Sequence, residues 1–174
     1  DNALLARLYL DAYRVTGDEA FRDVCAETLE YVLRDLRDPA GGFYAARDAD
    51  SEGEEGLFYL WTPGEVEAAA AGLDPEAVRL FCRLYDVRPG GNFEGRSILN
   101  LPRTVDEVAR SAGMEAASLR ERVAPVAHAL RAAREGREHP FRDEKVVCAW
   151  SAFTVRALAE AGAALGRADF LEAA

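Results

Sequence analysis

The strongest constraint on the fold is a pattern that occurs near both ends of the chain. Asn2 to Phe21 and Ser151 to Phe170 overlay without gaps, so that Ala12 meets Ala161, Gly17 meets Gly166 and Phe21 meets Phe170. Each copy reads as helix, glycine turn, aromatic, helix. In the first copy Leu4, Leu5, Leu8, Ala12 and Val15 share a face at 3.6-residue spacing, which predicts an amphipathic helix over 2–16. Gly17 ends it, because glycine accepts the left-handed conformation found at helix ends. Phe21, Val24, Cys25, Thr28, Leu29, Val32, Leu33 and Leu36 form a second apolar stripe and predict a helix over about 19–37. Two helices joined at Gly17-Asp18 make an antiparallel hairpin. A chain that repeats such hairpins is mainly α, with the hairpins stacked as a superhelix or closed into a ring.

The texture between the two copies differs. Asp38-Pro-Ala-Gly-Gly42 is a turn signal. Phe43 to Ala46 and Leu57 to Trp61 are short, aromatic-rich and strand-like. Paired, they predict a β-hairpin whose loop is the acidic run Asp48 to Gly56. Such an insertion favours the ring, where long loops gather at one rim. Thr62 and Glu65 form a capping box with Pro63 at the first helical position, and Thr104 with Glu107 forms a second. A helix opens at Asp74-Pro75 and runs through Val87. Pro89 to Gly95 is an irregular loop, and Ser97 to Leu101 reads as a strand. A longer helix covers 115–136, where Pro125 predicts a kink or a break. The final helix is expected from near Asp143 to near Gly166.

Composition excludes several classes. The net charge is −10 and no Lys/Arg-rich patch stands out, which sets nucleic acid aside as a partner. No stretch approaches the roughly 18 apolar residues of a membrane span. No signal peptide or lipidation motif is visible. Cys25, Cys82 and Cys148 are odd in number and far apart, so neither a disulfide framework nor a zinc site is expected. Cys25 falls on an apolar stripe and reads as a buried thiol. A reducing compartment fits, and a cytoplasmic location is expected. Helical patterns touch both termini, so the chain is expected to be a piece of a larger domain whose own targeting signals are not read here. His128 and His139 are not spaced as a metal pair. The glycine-rich segments match neither the P-loop nor the dinucleotide fingerprint, so no cofactor is expected. Asp48-x-Asp50-x-Glu52-Gly53 imitates the first half of a calcium loop, but its twelfth position is Tyr59 instead of a bidentate Glu.

Several motifs occur in a diagnostic order. They are Asp1-Asn-Ala, Gly41-Gly-Phe-Tyr44, Asp48-Ala-Asp-Ser-Glu-Gly-Glu-Glu-Gly56, Phe58-Tyr-Leu-Trp61, Gly91-Asn-Phe-Glu-Gly95, Asp143-Glu-Lys145 and Trp150. Together they resemble the thioredoxin-domain-containing, spermatogenesis-associated protein 20 family, in its C-terminal α/α-barrel region. The resemblance implies an upstream thioredoxin-like domain outside this chain. It also implies that the chain is part of an (α/α)6 toroid like that of N-acylglucosamine 2-epimerases and six-hairpin glycosidases. No established reaction comes with it, and carbohydrate chemistry follows only by analogy of fold. Where such proteins usually carry Trp-Asn-Gly, this chain has Trp150-Ser151-Ala152. Ser151 is also the counterpart of Asn2 in the internal overlay, with both placed at the starts of inner helices.

The candidate catalytic residues are Asp48, Asp50, Glu52 and Glu55. Sugar hydrolysis uses two carboxylates, one with a raised pKa, and crowded carboxylates raise one another. Strand alternation is expected to turn Asp48, Asp50 and Glu52 inward. The same loop also reads as structural, with Asp side chains bonding their own backbone. Tyr44, Tyr59 and Trp61 offer aromatic faces for a sugar ring, with packing of the hairpin on the helices as the favoured alternative. Asn2, Asn92, Glu94, Asp143, Lys145 and Trp150 complete the candidate ligand contacts. Asn92 can also shape its turn, and Asp143 can serve as a helix cap. Two functions emerge: a protein that binds or processes a carbohydrate-like ligand, or a non-enzymatic module that holds a protein or peptide for the thioredoxin-like domain.

Overall fold

A computed structural model describes residues 1–174. In chain order the elements are α1 (Asn2–Thr16), α2 (Glu19–Tyr31) continuing into a π-helical turn (Val32–Leu36), β1 (Tyr44–Arg47), β2 (Asp50–Ser51), β3 (Glu54–Glu55), a 3-10 turn (Leu57–Tyr59), α3 (Pro63–Ala69), α4 (Pro75–Leu84), α5 (Val105–Ser111), α6 (Ala116–Arg134), β4 (Arg142–Val146), α7 (Cys148–Leu165) and α8 (Ala168–Ala173). The protein is mainly helical. The chain divides into two compact units, Asp1–Asp48 with Arg142–Ala174, and Ala49–Phe141.

The first unit holds both copies of the repeated pattern. α1 packs on α2, α7 packs on α8, and α1 packs on α7. Gly17 and Gly166 close their helices in the left-handed region, at φ 70° and 67°. The core of this unit gathers Leu10, Cys25, Leu29, Val32, Leu36, Phe43, Leu158 and Phe170. Cys25 is fully buried, as its place on the stripe of α2 predicts. α1 differs from expectation. Its buried residues are Ala3, Ala6 and Leu10, while Leu4, Leu5, Leu8 and Val15 face outward. Small residues let neighbouring helices approach closely, so the alanine stripe makes the contact and the leucine stripe is left over.

Two strand assignments are also corrected. Phe43 to Ala46 does not pair with Leu57 to Trp61. β1 pairs with β4 in an antiparallel ladder, with Tyr44 opposite Val146, Ala46 opposite Asp143 and Arg47 opposite Arg142. Residues 57–59 form a 3-10 turn that Gly56 opens at φ 73°, and the chain extends again only from Leu60. The one strand-like contact of segment 57–61 is a bridge from Trp61 to Ser97, the single point at which the expected 97–101 strand forms. Residues 142–146 therefore belong to a strand, and the last helix starts only at Cys148, after Val147.

The second unit packs α3, α4, α5 and α6 around Trp61, Val66, Leu80, Phe81, Leu84, Val108 and Leu119. α6 buries Leu119, Val123, Val126 and Leu130 at helical spacing and runs past Pro125 without a break. α4 ends at Leu84, short of Val87. Both capping boxes form.

The Thr62–Glu65 box has a measurable pH signature. The Glu65 carboxylate accepts from the Thr62 amide at 2.7 Å and the Thr62 hydroxyl at 2.8 Å, and Arg96 lies 3.1 Å away. Burial alone would raise this carboxyl; the Thr62 bonds and Arg96 outweigh it and hold it below its ordinary value of 4.5. A carboxyl lowered by folding stabilises the native state above its unfolded pKa, and that contribution disappears as pH falls through the folded pKa. Glu65→Gln is expected to lower the urea midpoint at pH 7, and the gap to the native sequence is expected to close below about pH 4.5. A gap unchanged at pH 3 would refute this assignment.

Candidate functional site

The first unit contains a cleft of about 370 Å³. Three segments distant in sequence build it: the first turn of α1, the start of β1, and the first turns of α7. Both helices present their N-terminal turns to the same cleft, so they run in the same direction. Neither end carries a side-chain cap: Asp1 makes no capping bond, and Val147 has no polar side chain to offer. The first-turn amides of a helix lack intrahelical acceptors, so they are available to a ligand oxygen.

Asn2, Tyr44 and Trp150, singled out in the sequence, all line this cleft. Asn2 brings a carboxamide that both donates and accepts. Tyr44 sits under the guanidinium of Arg142, 4.4 Å from its ring centroid. Desolvation raises the Tyr44 hydroxyl above its ordinary value, with Asp38 and Glu144 adding to the shift and Arg142 opposing it, so it stays a protonated donor. Trp150 is 54% exposed, a large apolar ring left open to solvent. Phe153, Phe43, Val32 and Leu36 add apolar wall. Phe153 lies one helical turn from Trp150, and that spacing was the available signal for it. Thr154 turns its hydroxyl to the Trp150 carbonyl at 3.1 Å, so its methyl group is what remains for the cleft. Ser151 accepts a hydrogen bond from the Phe43 amide at 3.3 Å, tying β1 to α7. Its hydroxyl therefore serves the backbone.

The other candidates lie elsewhere. Asp143 and Lys145 stand on β4, bonded to each other: the Asp143 carboxylate accepts from the Lys145 amide at 3.2 Å and from Nζ at 3.1 Å, which holds it below its ordinary range. Asp143 caps no helix. In the second unit the acidic run is itself a hairpin, β2 paired with β3, with Asp50 opposite Glu55. Glu52 and Gly53 take φ 55° and 80°, the signs that a tight two-residue hairpin requires. The inward residue is Ser51, whose hydroxyl donates to the Glu138 carbonyl at 2.5 Å. Asp48, Asp50 and Glu52 are exposed, against the expected inward turn, and Glu55 is exposed as well. No cluster of three His, Cys, Asp or Glu side chains is spaced to hold a metal ion.

Trp61 is buried, with the Arg137 guanidinium 4.0 Å over its ring. Tyr59 meets Phe58 edge-on and Arg134 from one side. Asn92 clamps its loop: Oδ1 accepts from the Ile98 amide at 2.7 Å, and Nδ2 donates to the Ile98 carbonyl at 3.0 Å and to Asp86 at 3.2 Å. Glu94 is exposed at φ 45° on the same loop.

No family model matches the chain. It is 32% identical to spermatogenesis-associated protein 20 of Homo sapiens over 193 aligned positions, which cover 96% of this chain and 24% of the human protein. The Mus musculus protein of the same name is 32% identical over 95% of the chain and 24% of its own length. An uncharacterised protein of Caenorhabditis elegans is 24% identical over the whole chain and 27% of that protein. The chain thus spans about a quarter of the length of the curated relatives it matches. The resemblance carried by the motifs is a homology along nearly the entire sequence.

Proposed function

We propose that this chain, homologous to one quarter of spermatogenesis-associated protein 20, contributes a binding cleft for a carbohydrate-like small molecule on an α/α toroid of helical hairpins. One observation carries the reading: Asn2, Tyr44 and Trp150 come from three separate segments and line a single cleft with Phe153. Its volume lies within the range of small-molecule sites. Exposed aromatic faces suit the C–H face of a sugar ring, while the Tyr44 hydroxyl, the Asn2 carboxamide and the uncapped helix amides suit its hydroxyls. The toroid reading draws on the two like hairpins packed side by side. No helix is long and apolar enough to cross a membrane, and three free thiols fit a cytoplasmic setting.

The lining includes one carboxylate, Asp1. Two-carboxylate hydrolysis needs a pair flanking the scissile bond, so the cleft itself supports binding. Acid–base work by Asp48, Asp50, Glu52 and Glu55 is a separate proposition, tested by the turnover of Asp50→Asn and Glu52→Gln.

Trp150 is its own reporter. Sugars, sugar phosphates and polyols are screened by thermal shift, because a ligand of the folded state raises the melting temperature. A binder is expected to shift Trp150 emission, to lose at least about tenfold in affinity, or 1.4 kcal/mol, in Trp150→Ala, and to keep most of it in Trp150→Phe. A panel without effect, or a binder indifferent to Trp150→Ala, would overturn the proposal.

A further inference from the structure

Two irregularities border the cleft of the first unit. α2 ends in the π-helical turn Val32–Leu36, and Val32 and Leu36 of that turn line the cleft. Beside Tyr44 the β1–β4 ladder is bulged. β1 advances two residues from Tyr44 to Ala46 while β4 advances three from Val146 to Asp143, so Glu144 and Lys145 share one place opposite Ala45. Each irregularity inserts a residue and interrupts regular hydrogen bonding. Both kinds recur where a side chain has to be re-aimed.

One side chain joins the two. Arg142, at the start of β4, donates from Nη1 to the Asp35 carbonyl of the π turn at 3.2 Å. From Nη2 it donates to the Glu144 carboxylate in the bulge at 2.7 Å. The Asp35 carboxylate is engaged elsewhere, with Arg34 at 2.7 Å and Arg47 at 3.7 Å. What Arg142 takes is therefore one of the carbonyls that a helix end leaves without an intrahelical donor. Held by these two anchors, the guanidinium covers the Tyr44 ring, 4.4 Å from its centroid. The arrangement does not serve Arg142 itself, because its Nε is buried without an acceptor, and a native structure seldom leaves a buried donor so. The anchors and the ring set the plane of the guanidinium.

We infer that Arg142 is a positioning residue for the cleft and acts on a bound molecule only through Tyr44. The inference rests on the reading of the cleft as a site for a carbohydrate-like molecule. Tyr44 lines the cleft and Arg142 does not, so Arg142 has no direct contact to offer. It fixes the ring as a wall and the hydroxyl as a donor before binding, which removes side-chain entropy that binding would otherwise have to overcome. The planar guanidinium is essential to this, since a single ammonium cannot lie flat on the ring and reach both anchors.

A double-mutant cycle separates this role from a structural one. Glucose, glucose 6-phosphate and sorbitol, one from each class of the panel, are titrated against the emission of Trp150. Arg142→Met is expected to weaken a responding probe about tenfold, and to have no further effect in a Tyr44→Ala background. Arg142→Lys is expected to recover stability in urea but not affinity. Glu144→Ala removes one anchor at an exposed site and replaces Arg142→Met if that variant does not fold. It is expected to cost about threefold with Tyr44 present and nothing without it. Equal losses with and without Tyr44 would overturn the inference and make Arg142 only a cap on the π turn. So would a probe that depends on Trp150 but ignores Arg142→Met, and that outcome leaves the cleft reading intact. A native chain that responds to none of the three probes overturns both.

Discussion

Gly91→Ala is expected to destabilise the second unit by about 3 kcal/mol or more, among the larger effects a single methyl group can have. Gly91 has φ +65°, and a Cβ there would stand 1.8 Å from the Arg96 carbonyl oxygen and 2.3 Å from its carbon. Both obstructing atoms are backbone, so no rotamer relieves the clash. That carbonyl also accepts from the Asn92 amide at 2.8 Å and the Phe93 amide at 3.0 Å. Moving it opens the loop that places Ser97 against Trp61, where the two backbones exchange hydrogen bonds at 3.0 and 2.7 Å. Gly90 is the matched control. It has φ +81° with nothing within 4 Å of its Cβ position, so Gly90→Ala carries only the left-handed penalty of about 1–2 kcal/mol. Asparagine tolerates that conformation, so Gly90→Asn is expected to recover part of the loss while Gly91→Asn recovers none. Urea unfolding of the four variants decides the matter; equal costs at the two positions would show that the close approach does not matter.

The features legible in the sequence are those set by neighbours along the chain. Gly17 and Gly166 close helices because a left-handed residue is needed within one turn of the last apolar contact. Thr62 with Glu65, and Thr104 with Glu107, announce helix starts because both partners of each capping box lie within four residues. What was not legible depends on distant partners. β1 finds β4, not the nearer segment 57–61, and no property of Phe43 to Ala46 by itself names Arg142 to Val146. α1 is more instructive. The hydrophobic pattern selects its leucine face, yet the structure buries the alanine face against its neighbours. Periodicity finds the greasier side of a helix; it does not know how close the neighbouring helix will come.

The candidate site divides along the same line. Asn2, Tyr44 and Trp150 were legible as motif residues, but only the fold shows that they share a cleft. The acidic run departs from the expected alternation because it does not continue β1, which ends at Arg47. The turn at Glu52-Gly53 creates a separate short hairpin, which sends Ser51 inward and leaves the carboxylates outside. Asn92 had two readings in the sequence, and its three hydrogen bonds are structural ones.

Arg137 had no signal at all, yet its removal is expected to be nearly as damaging as Gly91→Ala. The 3-10 turn at Leu57–Tyr59 closes with the Leu60 amide on the Leu57 carbonyl at 3.3 Å, and Arg137 Nη1 shares its hydrogens among three carbonyls around it: Leu57 at 3.2 Å, Phe58 at 3.1 Å and Leu60 at 2.7 Å. Its plane covers Trp61, and Nη2 lies 3.6 Å from Glu65. Burial lowers the pKa of this guanidinium, with Arg96 and Arg134 adding and Glu65 opposing, but arginine remains charged in proteins. Arg137→Met keeps the stem and removes every donor. Phe58 and Leu60 are buried, so their carbonyls have little water to turn to, and a cost of about 3 kcal/mol is expected. Arg137→Lys restores the charge beside Glu65 but not the flat fork over Trp61, and is expected to recover less than half. In a Trp150→Phe background Trp61 is the sole tryptophan. Its emission is therefore expected to shift to longer wavelength in Arg137→Met, as the 3-10 turn loosens and water reaches the ring. Full recovery by lysine would mean that Arg137 acts as a point charge. An unshifted emission with unchanged stability would mean that the three carbonyls find other donors, and that the turn holds itself.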